Sequence, residues 1–437
     1  MRTHRLLAVL AAVALAAGGC AVGGDGASSS GRATTVTFRL WDEQVAKAYR
    51  ESFAEFEKRN SDIKVDVQLV PWADYWTKLP TDIASGTAAD IFWTNTSNFG
   101  LYADSGQLLP IDDNLGAQQQ EWTRSVVDLY TRNGKLWGVP QLWDSIALYY
   151  NKDLVSKAGV DPASLTWDPA GAGDTFLPAA RKLTVDSAGR TADQPGFDSS
   201  KITQFGFNAA LDSQGIVWNF VGSNGGTWQN GDTFDYADQP KTVQAVQYIV
   251  DLINKHHVAP SAADTNTNDD KALQLFTQGK IALFQSGPYN LKNIKDGAGF
   301  AWGLVPLLKG PAGRVGVVHG VAAVASAKTK HKDATVKVLK WIGTADGIKP
   351  IAAGGFAFPG VTAAQPAFVD YWQKAGVDLK PFLDSSVGTT FPAPVGPRVG
   401  AGGTAADPIL QQIFLGQLGV GEGLKKAQDA ANKAIKG

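Results

Sequence analysis

Three tryptophans in this chain stand close to hydrogen-bonding side chains: Trp41 beside Asp42 and Glu43, Trp93 two residues before Asn95, and Trp143 beside Asp144. A flat indole next to an acid or amide suits a ligand with an apolar C–H face and a rim of hydroxyls, as a pyranose has. The ring buries the C–H face without demanding a hydrogen bond, and full burial of one aromatic contributes about 1.5–3 kcal/mol by area. Hydroxyls both donate and accept, so Asp, Glu, Asn and Gln can read vicinal pairs. A ligand lacking the matching hydroxyl leaves those groups buried and unpaired. Two or three stacked rings would bring binding into the micromolar range.

Other chemistries lack their residues. Of five histidines, His4 lies in the N-terminal leader, His256-His257 close a helical stretch where positive charge suits the dipole, and His319 and His331 are solitary. There is no H-x-x-x-H pair and no Cys/His cluster, so neither a metal site nor a cofactor is expected. No G-x-S-x-G elbow and no Gly-rich phosphate loop occur. Carboxylates are plentiful, so composition alone leaves a glycosidase pair open. Nothing in the sequence singles out a nucleophile.

The elements that must hold these residues read as α/β. Val36, Phe38 and Leu40 alternate as in a strand, Val45, Tyr49, Phe53 and Phe56 recur at helical spacing, and Ile63, Val65, Val67 and Leu69 alternate again. Asp42 is the expected N-cap of the helix between them. This βαβ unit implies a parallel pair and a right-handed crossover. A further helix, about 72–84, leads to a short strand ending at Trp93. Ligands of open α/β sheets bind beyond the carboxyl ends of strands, and Trp41-Asp42 and Trp93-Thr94-Asn95 sit at two such ends. Downstream, 136–150 reads as strand and 243–253 as an amphipathic helix. Ile281 and Leu283 mark a strand, 315–325 is a strand broken at His319-Gly320, and the tail 409–434 is helical with a Gly-rich interruption. Trp72, Trp76, Trp122 and Trp341 fall at helical spacing and are expected to pack, and Trp137 precedes a turn.

The chain opens with Arg2 and Arg5, an apolar run from Leu6 to Ala17, then Gly18-Gly19 and the sole cysteine, Cys20. This reads as a secretory signal over 1–19, too short to span a bilayer, which takes about 20 apolar residues. A cysteine at this point resembles a bacterial lipoprotein signal, with Ala17 where Leu is usual, so Cys20 is the expected lipidation site. An ordinary cleaved signal is the alternative. Residues 20–35 carry no bulky apolar side chain beyond Val22 and read as a tether with a mean reach of roughly 20 Å. Removing 1–19 leaves 38 basic against 41 acidic residues, no footprint for nucleic acid. Membrane attachment would come from lipid alone, several acyl chains anchoring where one binds only marginally. With no cysteine after position 20 no disulfide is possible, and about 400 residues are enough for two domains.

Four blocks, in order, carry a resemblance: "ASGTAADIFWTN" (84–95), "GKLWGVPQLWDSIALYYNKDLVSKAGV" (134–160) followed by "LTWD" (165–168), "LQLFTQGKIALFQSGPYNL" (273–291) and "VGVVHGVAAVAS" (315–326). With these the chain resembles the extracellular solute-binding proteins of ABC importers, in their carbohydrate-binding branch. The resemblance implies a two-lobe periplasmic-binding-protein-like (Venus flytrap) α/β fold with hinge-crossing strands and a ligand cleft between lobes. Lobe 1 would take 36–145 and 315–368, and lobe 2 would take 146–314 and 369–437. It implies a monomeric, non-enzymatic receptor for a mono- or oligosaccharide, served by a permease and an ATPase. Carried over residue by residue, it implies ligand contacts at Trp93 with Asn95, Asp144, Tyr289 (where many relatives have Trp), Trp218, and Trp41 with Asp42 and Glu43. Gly320 and Gly355 are expected to let backbone approach the cleft. The family's late tryptophan has no clear match, Trp372 and Phe391 being the candidates. A secreted carbohydrate-active enzyme and a sensory receptor of the same fold are the alternatives.

Overall fold

The computed structural model describes residues 33–436 except 269 and 397. The expected leader, Cys20 and the tether as far as residue 32 lie outside the described residues. The strands of the two main sheets and of the small ribbon between them are, in chain order, β1 (Thr34–Leu40), β2 (Ile63–Leu69), β3 (Ile91–Asn95), β4 (Gly138–Asp144), β5 (Ala147–Asn151), β6 (Val185–Asp186), β7 (Ile202–Phe207), β8 (Ile281–Ser286), β9 (Trp302–Val305), β10 (Gly316–Val317), β11 (His319–Ala325), β12 (Phe358–Pro359) and β13 (Thr390–Phe391). β1 starts at Thr34, two residues ahead of the expected onset.

The first sheet has the order β12-β4-β11-β3-β1-β2. β1 pairs in parallel with β2 along its whole length, from Thr34↔Ile63 to Leu40↔Leu69, as the alternating apolar pattern implied. The crossover helix Glu43–Arg59 lays Tyr49, Phe53 and Phe56 on the sheet, and Asp42 caps it by accepting from the Val45 N–H at 2.9 Å. β3 continues the parallel set, whereas β11 runs antiparallel to both β3 and β4.

The second sheet has the order β9-β5-β8-β7-β6. Its strand β5 is buried on both faces, so alternate residues serve different cores. Ala147 and Tyr149 join the core of the first sheet, while Leu148 joins that of the second. The chain crosses between sheets at Ser145-Ile146, directly from β4 into β5, and again through β10 into β11. β10 pairs in parallel with β13, which returns from the C-terminal region. The fold is therefore a two-lobe α/β structure with linked crossing strands. The expected boundary at 368/369 falls inside the helix Gln365–Lys374, which packs on the helix Ala345–Ala353 and on β12, at the first sheet. Among the described residues no helix is long and apolar enough to cross a membrane.

Candidate ligand site

A cavity of about 840 Å³ opens between the two sheets. Strand ends build it. Past the end of β1 come Trp41, Asp42 and Glu43, β3 contributes Trp93 and Asn95, and β4 ends on Asp144. From the other lobe come Trp218, which opens a short helix, and Tyr289, which follows β8. Gly320 in β11 lies on the crossing path. Nine of the eleven residues named from sequence thus line one cavity.

Trp143 and Gly355 do not line it. Adjacent residues of a strand point to opposite faces. Leu142 and Asp144 face the cavity, so the Trp143 ring turns the other way and packs on Phe358 at 4.5 Å between centroids. Gly355 has φ +68°, and a Cβ there would lie 2.2 Å from the Tyr371 ring. It is a turn glycine after a helix, required by conformation and packing. Gly320 does line the cavity, but a Cβ would meet Val126 at 2.8 Å, so the demand for glycine comes from the core side. Trp372 is fully buried and Phe391 is 4% exposed; neither reaches the cavity.

The aromatic wall is a cluster centred on Trp41. Its ring meets Trp72, Tyr75, Trp76 and Trp93 at 5.0–5.3 Å, edge-on or tilted. Such contacts suit the ring quadrupole and hold each plane in place. Trp93 is 1% exposed, its backbone carbonyl taken by the Tyr75 hydroxyl at 2.7 Å. Trp72, expected to pack, instead stands 43% exposed in the cavity wall. Tyr289, 37% exposed, offers the corresponding open ring from the second lobe.

The polar groups are held as firmly. Gln214 Nε2 donates to Asp144 Oδ1 at 2.5 Å, tying the end of β4 to the second lobe. Burial pushes the Asp144 carboxyl up to about 8, the Gln214 hydrogen bond acting in the opposite sense. Asp42 is also raised by burial, against the lowering effect of the Val45 and Gln44 N–H groups that it accepts as a cap. The side-chain oxygen of Asn95 accepts from the Asn98 N–H at 3.2 Å, capping the helix Thr96–Asp104.

Sequence reasoning missed Gln214, Asn208, Gln285 and His319, all in the lining. Asn208 follows the carboxyl end of β7, so the strand-end rule applied to "GFNAALDSQG" would have found it. His319 has no neighbour in sequence that marks it. It is 4% exposed and stacks on Trp218 with 5.7 Å between centroids and planes 5° apart.

The two lobes also touch across the mouth. Gln44, on the helix after β1, donates to Asn293 on the helix Leu291–Gly297 at 3.1 Å. Lys295 of that helix lies over the Tyr371 ring at 6.0 Å. A cavity lined from both lobes, with flat rings and amides or acids interleaved, can enclose a ligand and hold the lobes together through it.

The profile of a family described as bacterial extracellular solute-binding protein matches residues 41–349. The crystal structure of UspC from M. tuberculosis is 45% identical, with a TM-score of 0.72, covering 92% of this chain and all of that one. The maltodextrin-binding protein MdxE of Bacillus subtilis is 27% identical over 444 residues, 98% of this chain and 95% of MdxE. A maltooligosaccharide ABC transporter solute-binding lipoprotein of Streptococcus pneumoniae is 23% identical over 415 residues, 94% of this chain and 90% of that protein.

Proposed function

The chain belongs to the bacterial extracellular solute-binding proteins, and from that premise we propose that it captures a mono- or oligosaccharide between its lobes for an ABC importer. The observation that carries this reading is the convergence of open rings (Trp72 and Tyr289) and hydrogen-bonding side chains (Asp144, Gln214, Asn208) from two sheets on one cavity. The sugar-binding relatives MdxE and the pneumococcal lipoprotein agree with it.

Ligand touching both lobes favours the closed arrangement by its differential affinity, and hinge closure presents the loaded protein to a permease and its ATPase. Cys20 carries the lipid that holds the protein at the outer face of the cytoplasmic membrane. The chemistry of the leader and the kinship with a lipoprotein support that part.

The test is a thermal-shift screen against D-glucose, D-galactose, D-mannose, L-arabinose, maltose to maltotetraose, and mannotriose. A sugar at 100 times its dissociation constant stabilises the fold by about 2.7 kcal/mol. Absence of a saturable shift with every sugar of the panel would sink the reading. Release of reducing ends from any of them would replace it with an enzyme.

A further inference from the structure

His319 packs its ring but leaves its Nε2 without hydrogen-bonding employment. Its ring is 4% exposed, and Nε2 is buried without a hydrogen-bond partner. Neither ring nitrogen is hydrogen-bonded to any side chain or backbone group among the described residues, and no group of His, Cys, Asp or Glu there is disposed to hold a metal. Buried polar atoms in native proteins are nearly always paired, and an exception calls for an explanation. Here the explanation lies in the surroundings. His319 lines the cavity and stands opposite Asp144 in the β11–β4 pairing, so the two side chains leave neighbouring strands side by side. Trp218 lies parallel against the imidazole and fixes its plane, and Phe391 in turn stacks on the indole at 6.5 Å. A ring held this way presents its nitrogens in fixed directions.

We propose that His319 is a specificity-determining residue: its Nε2 reads one hydroxyl of the bound sugar at the cavity floor, with Trp218 holding the imidazole in place. The inference rests on the sugar reading of the same cavity. Burial drives the imidazole down to about 4, so it is uncharged at neutral pH and carries one donor and one acceptor nitrogen. A hydroxyl answers either one. An uncharged imidazole beside Asp144 and Gln214 gives this end of the cavity three kinds of hydrogen-bonding atom within one small region, which suits a polyol edge and not a single ion. Trp218 Nε1 is likewise buried and unpartnered, and that residue lines the cavity.

The experiment is a cycle between His319 variants and deoxy sugars. The probes are the sugar of the panel with the largest thermal shift and its monodeoxy analogues, measured by calorimetry. Wild type is expected to lose at least tenfold, about 1.4 kcal/mol, when one particular hydroxyl is removed. His319→Phe keeps the stacked ring and deletes both nitrogens. It should bind the parent sugar at least tenfold more weakly, be indifferent to removal of that one hydroxyl, and melt no lower than wild type without sugar. His319→Gln, which returns a donor and an acceptor, should recover part of the lost affinity. Binding of the parent by His319→Phe within twofold of wild type overturns the proposal, as does an equal loss for the parent and every deoxy analogue. Should the phenylalanine variant not fold, the glutamine variant decides. Altered discrimination at one hydroxyl supports the proposal, and unchanged discrimination at all of them ends it. If wild type binds no sugar of the panel, the sugar reading itself fails and takes this inference with it.

Discussion

Replacing Tyr289 with alanine separates ligand binding from folding more cleanly than any other change at the cavity. The residue is 37% exposed, so much of its ring waits for something to cover it. Aromatic side chains bury roughly 150–250 Å²; a little over a third of about 200 Å² is about 75 Å². At about 25 cal/mol per Å² that surface is worth about 1.9 kcal/mol when a sugar face covers it, or about a 25-fold change in affinity. The ring makes little of the core, so the unliganded protein should melt within a few degrees of wild type. Trp93→Ala is the contrasting case. At 1% exposure it would leave a cavity in the aromatic cluster, with a stability loss of about 3–5 kcal/mol, so a weakened affinity there would not tell contact from collapse. Calorimetric titration of Tyr289→Ala with the sugar ranked first in the thermal-shift panel is the assay. An affinity within twofold of wild type, with the melting temperature unchanged, would refute the assignment of this ring to the ligand.

Asp144→Asn should flatten the pH dependence of stability. The folded carboxyl titrates near 8, against 3.8 for its ordinary value. Between those limits the folded state keeps a proton that the unfolded state has lost, so wild-type stability falls as pH rises through the window. Melting temperatures at pH 5 and pH 8 check this, and equal slopes for wild type and Asp144→Asn would contradict it. Gly355→Ala should destabilise without touching the ligand, because the φ of +68° opposes a side chain and the new Cβ would sit 2.2 Å from the Tyr371 ring. The conformational part alone is about 1–2 kcal/mol, a lower melting temperature with an unaltered dissociation constant. Gln44→Ala removes the hydrogen bond to Asn293 across the mouth, worth about 0.5–1.5 kcal/mol. Small-angle scattering of the sugar-free variant should show a larger radius of gyration than wild type, reversed at saturating sugar. An identical radius in both sugar-free proteins would show that this contact does not set the resting closure.

What the sequence made legible follows from distance along the chain. The β1–helix–β2 unit, the Asp42 cap and the strand-end positions of Trp41, Trp93 and Asn95 rest on periodicity over a few residues, and the structure has them in place. The strand-like run at 315–325 is present as β10 and β11, but its break falls at Val318 and not at His319-Gly320, which pair within β11; the interrupted C-terminal helix is present as Val399–Phe414 and Val420–Lys436. Strand periodicity also separates two pairs that look alike in sequence. Trp93 and Asn95 are two residues apart in one strand and share a face, whereas Trp143 and Asp144 are neighbours in a strand and cannot. Treating the latter as one plane-plus-acid unit sent the wrong residue to the cavity. Helical spacing put Trp72 and Trp76 on one face correctly, but spacing carries no information about whether that face is covered. Gln214–Asp144 and His319–Trp218 join residues 70 and about 100 positions apart. No local pattern encodes such pairs, since they exist only once two sheets have been brought together.

The hydrogen-bonding groups of the lining narrow the ligand further. Among the described residues, Asp42, Glu43, Asp144, Asp212, Asp270 and Asp407 line the cavity, with one lysine, Lys292. Hydroxyls can donate to carboxylate and amide oxygens of this lining. The buried indole N–H of Trp218 asks for the reverse, an atom that accepts. A group able to donate on one side and accept on the other satisfies both demands without a change of protonation, and a carbon ring edged with hydroxyls offers several such groups in fixed relative positions. The open faces of Trp72 and Tyr289, on different lobes, then supply the apolar half of the contact. Because the polar and apolar requirements are each divided between the lobes, a ligand held by one lobe alone leaves the other lobe's rings and polar groups unengaged. That division couples recognition to closure.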